Sequence, residues 1–77
     1  MQGGTMNQRL QVLYMQTRLL RLAAEKWQVT VAKANEIFTR YGVYRFLEDC
    51  FELFHVEGDQ AILEEIGQYL AHKGLAL

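Results

Sequence analysis

Three features of the chain predict an all-α fold, a small bundle of about four short helices. Its 77 residues contain no proline. The glycines that read as internal punctuation, Gly42 and Gly58, leave uninterrupted stretches between them. Within those stretches apolar residues recur at alternating three- and four-residue spacings, the period of one helix face.

The first helix is expected from about Met6 to Lys26. Met6, Leu10, Leu13, Leu20, Ala24 and Trp27 mark one face, with Thr17 filling its gap. Val12, Met15, Leu19 and Leu22 form an adjoining stripe, so the apolar surface is broad enough to meet two neighbours. Arg18, Arg21 and Glu25 fall on the remaining surface. A turn follows, and Thr30 is placed to cap a second helix by accepting a free amide proton of its first turn. Val31, Ala34, Ile37, Phe38 and Tyr41 give that helix its inner face, and Gly42 suits the left-handed stop.

"VYRFLEDCFELFH" reads as one continuous third helix, with Val43, Phe46, Leu47, Cys50, Leu53 and Phe54 inward. "VEGD" breaks it, and Asp59 is the expected cap of a fourth helix whose inner residues are Ile62, Leu63, Ile66, Tyr69 and Leu70. His72 and Lys73 suit the carbonyl end of that helix. Residues 1–5, "MQGGT", read as a flexible leader, and residues 6–77 as a single helical domain.

A domain this small sits at the lower limit of what one core stabilises, and a single cysteine cannot form an internal disulfide. Yet 51% of its residues are hydrophobic, including four Phe, four Tyr and one Trp. Some of that apolar surface is expected in an interface with a protein partner or a second copy of the chain. The lone thiol and the lack of an apolar signal region in "MQGGTMNQRL" fit the cytoplasm, and no apolar run reaches membrane-spanning length. The net charge of −1 conceals a split. Residues 1–41 carry six basic and two acidic side chains; residues 42–77 carry two basic and seven acidic. Opposed halves of this kind pair within the fold or between chains.

The densest cluster of reactive side chains is "LEDCFELFHVEGD", with the only cysteine, a histidine and five carboxylates. On a continuous helix Cys50 and His55 point roughly 140° apart, so they share neither a metal nor a nucleophile–base pair. Cys50 is expected in the core, and His55 at the helix end, capping carbonyls or meeting Glu52 or Glu57. The residues offer neither a metal-ligand set nor a phosphate-binding glycine loop or nucleophile elbow, so we expect no enzyme, no metal and no cofactor. DNA binding by the basic N-terminal half is the alternative function. It is disfavoured because "VAKANEIFTRYG" offers few base-reading side chains and the whole chain is slightly acidic. The expected function is a non-enzymatic protein-interaction module. Its candidate contacts are Leu13, Leu20 and Trp27 on the first helix, and Glu48, Glu52, His55 and Glu57 on the acidic rim.

The stretch "YGVYRFLEDCFELFHVEGDQAILEEIGQYL" resembles a family of short bacterial proteins, domain of unknown function 3791. There a glycine-containing turn leads into an acidic-aromatic stretch ending in Leu- or Phe-His, then a polar turn and an acidic final helix. Phe54, His55, Gly58 and the region of Glu64, Glu65 and Ile66 match it, and "LAAEKWQVTVAKANEIFTRYG" resembles the preceding helix pair. The resemblance extends from about Met6, and departs from the common "LHT" form at Val56. It implies no known activity. Some members are encoded near predicted ADP-ribosyltransferase-like toxins, which implies an accessory or antitoxin-like role.

Overall fold

The computed structural model describes residues 7–76, so the expected leader and Met6 lie outside the described residues. Helix α1 is Gln8–Trp27, α2 Val31–Arg40, α3 Val43–Asp49, α4 Phe51–Phe54 and α5 Asp59–His72, and no described residue is in a strand. The all-α expectation holds.

Local chemistry sets the helix ends. The Asn7 side chain accepts from the Leu10 amide at 2.9 Å and the Thr30 hydroxyl from the Lys33 amide at 3.0 Å. Each satisfies one of the orphan N–H groups of a first turn. Helix α1 stops at Gln28, a non-glycine residue at φ 59°, whose amide and that of Val29 return to carbonyls of the last turn. Gly42 joins α2 to α3 at φ 72°. Above that turn the Tyr69 hydroxyl donates to the Tyr41 carbonyl at 2.6 Å, so α5 holds the α2–α3 corner in place.

The core draws on every helix. Leu19, Ala23, Ala34, Phe38, Val43, Leu47, Ile62, Ile66 and Leu70 have no exposed surface, and Val12, Met15, Ile37, Phe51, Phe54 and Leu63 are nearly as buried. Aromatic side chains tie the outer helices to it. Phe46 stacks on Tyr69 at 4.3 Å and meets Phe54 edge-on at 5.4 Å, and Trp27 meets Phe38 edge-on at 5.9 Å.

Three sequence expectations are corrected. The third helix is not continuous: Cys50 at φ −104°, ψ 17° separates α3 from α4, although the Cys50 amide still reaches the Phe46 carbonyl and the Phe54 amide the Cys50 carbonyl. Leu53 does not face inward; it is 60% exposed, and Phe51 takes the core position. Each lies about 80° to one side of the Val43–Leu47–Cys50–Phe54 line, and the side that meets the rest of the bundle holds the larger ring. Asp59 does not cap the last helix. Gly58 occupies the cap position without a side-chain bond, and Asp59 is the first helical residue. There its carboxylate still faces the positive end of the helix dipole, and it pairs with Arg18 on α1.

Candidate interaction surface

The two apolar stripes of α1 have different fates. The stripe of Val12, Met15, Leu19 and Leu22 points into the bundle, with the first three buried and Leu22 partly so. The other stripe changes character along its length. Towards the C-terminus Ala24 is buried, and Leu20 and Trp27 pack against the core. Towards the N-terminus Leu10 is 41% and Leu13 52% exposed, with Tyr14 beside them at 56%. Helix length explains the change. The 20 residues of α1 extend roughly 30 Å and the ten of α2 roughly 15 Å, so α2 covers only half of its neighbour.

This exposed stripe borders two open concavities. One, of about 580 Å³, is lined by Leu13, Tyr14, Thr17, Arg18, Arg21, Leu22 and Glu25. The other, of about 650 Å³, lies between α1 and α3 and is lined by Arg9, Leu10, Val12, Leu13, Gln16 and Glu48. Its floor is fixed by the Gln16 side-chain amide, which donates to the Tyr44 carbonyl at 2.9 Å. Arg18 is engaged, with Nε 3.1 Å from each carboxylate oxygen of Asp59 and Nη2 3.0 Å from one of them. Arg9 and Arg21 are exposed and form no ion pair among the described residues.

The sequence-derived candidates therefore separate. Leu13 and Glu48 are brought to one surface, the second concavity. Leu20 and Trp27 are set against the core and are not free anchors. Glu52 and His55 are exposed and Glu57 is half-buried in the turn after α4. His55 Nδ1 lies 3.0 Å from the Phe51 carbonyl, which can only accept, so Nδ1 carries the proton. Its ring stacks on Phe51 at 5.1 Å. The ring sits at the helix end as expected, but on a carbonyl that already accepts the His55 amide at 2.9 Å, and neither glutamate is its partner. His72 repeats the arrangement on Gln68 at 2.9 Å.

Sequence reasoning missed Tyr14, Leu53 and Val56 as surface residues. Tyr14 had a signal, standing one turn after Leu10 on the same side of the helix. Leu53 is 60% and Val56 73% exposed, within and just after α4, in a stretch of the chain that also carries Glu52 and Glu57.

Burial pushes the Tyr44 phenol above its ordinary value, and its hydroxyl donates to Asn35 Oδ1 at 2.6 Å. Cys50 is a free, half-buried thiol at the helix break. Among the described residues no group of three or more His, Cys, Asp or Glu could hold a metal ion, and no helix is long and apolar enough to cross a membrane.

The comparisons with known proteins can be set against this geometry. A family model described as "Protein of unknown function (DUF3791)" matches residues 14–73. The chain belongs to this family. The resemblance seen in the sequence is thus correct, but the matched region begins at Tyr14, not near Met6. In this DUF3791 chain Leu10 and Leu13 lie before the matched region, while α2 to α5 lie within it. No curated protein and no solved structure matches the chain significantly.

Proposed function

We propose that this DUF3791 chain is a non-enzymatic protein-interaction module whose contact surface is the exposed Leu10, Leu13 and Tyr14 stripe in the N-terminal half of α1. The observation that carries the reading is the run of Leu10, Leu13 and Tyr14. These are three large apolar side chains exposed side by side on one helix and bordered by two concavities. Apolar clusters with a polar rim are the usual centre of protein contacts, and aromatic side chains are prominent in them. The rim here is supplied by Arg9, Arg21 and Glu48. We place this work in the bacterial cytoplasm, where the free Cys50 stays reduced. An accessory or antitoxin-like role follows from kinship alone.

A photo-crosslinking side chain at Leu13 tests the reading in living cells. The expected result is a discrete protein adduct, another copy included, that disappears when Tyr14 is also replaced by Asp. Absence of any protein adduct, with the variant folded, overturns it.

DNA binding is the competing reading, supported by the exposed Arg9, Arg21, Lys26 and Arg40. The geometry supports it less well, because Arg18 and Lys33 are engaged by Asp59 and Glu36 and the remaining cations are spread over two helices. It requires duplex retardation at low salt that weakens steeply as salt rises.

A further inference from the structure

We draw no further inference here: the strongest candidate, the exposed apolar stripe of Leu10, Leu13 and Tyr14 on α1, is bordered by charges of both signs, Arg9 and Arg21 beside Glu25 and Glu48, and nothing in the structure shows what covers it.

Discussion

Two backbone positions at positive φ show how single residues set the stability of this fold. Gly42 sits at φ 72°, and a Cβ there would lie 3.2 Å from the Tyr69 hydroxyl that holds the same turn. Gly42→Ala should therefore destabilise the chain by about 1–2 kcal/mol, from left-handed backbone strain and displacement of that hydroxyl. Gln28 holds a similar conformation, at φ 59°, without glycine's freedom. Gln28→Gly should raise stability by about 0.5–1 kcal/mol. Urea denaturation of the two variants checks both signs. Tyr44 supplies a pH signature. Its phenol is raised above the ordinary value by burial, so the folded state favours the protonated form. The stabilising contribution is present below the unfolded-state value of about 10 and is lost as pH rises through the folded value. Tyr44→Phe should cost about 0.5–1.5 kcal/mol at neutral pH through loss of the bond to Asn35, and should reduce the alkaline loss of stability. Thermal melts from neutral pH into the alkaline range measure it.

At the scale of the element, α1 carries two duties on two stripes. Leu19 is fully buried, so Leu19→Ala should cost about 2–5 kcal/mol by removing apolar contact and leaving a cavity. Leu13 is 52% exposed, and Leu13→Ala should change folding stability by less than about 1 kcal/mol while weakening the proposed contact. Paired denaturation and binding measurements separate the roles; a large stability loss for Leu13→Ala would place it in the core. Both stripes were legible in the spacing, but not which of them is covered, because periodicity records direction around a helix and not the length of the neighbour lying on it. The same limit explains Leu53 and Phe51. They flank the inner line of α3 and α4 about equally, and only packing chose between them. The caps at Thr30 and Gly42 were legible because each depends on local backbone chemistry alone.

For the whole molecule, the modest size makes association and stability inseparable. A 77-residue domain has a net stability on the order of 4–12 kcal/mol. A partner that binds only the folded state adds to this by mass action. If the partner is a second copy, the melting temperature should rise with protein concentration. Calorimetry over a concentration series decides. The charge split belongs to this scale too. Of the two outcomes open for it, pairing within the fold is represented by one ion pair, Arg18–Asp59, among the described residues.

The sequence by itself determined the helical class, most of the helix ends, the inner face of α5 and the family. Each of these follows from local propensity, spacing or residue identity along one segment. Only the tertiary structure decided that Leu10, Leu13 and Tyr14 of α1 stay exposed, that Phe51 displaces Leu53 from the core, and that Asp59 pairs with Arg18 without capping its helix. Those outcomes depend on which surfaces meet across the fold, and burial of apolar area between segments distant in sequence leaves no local mark on either one.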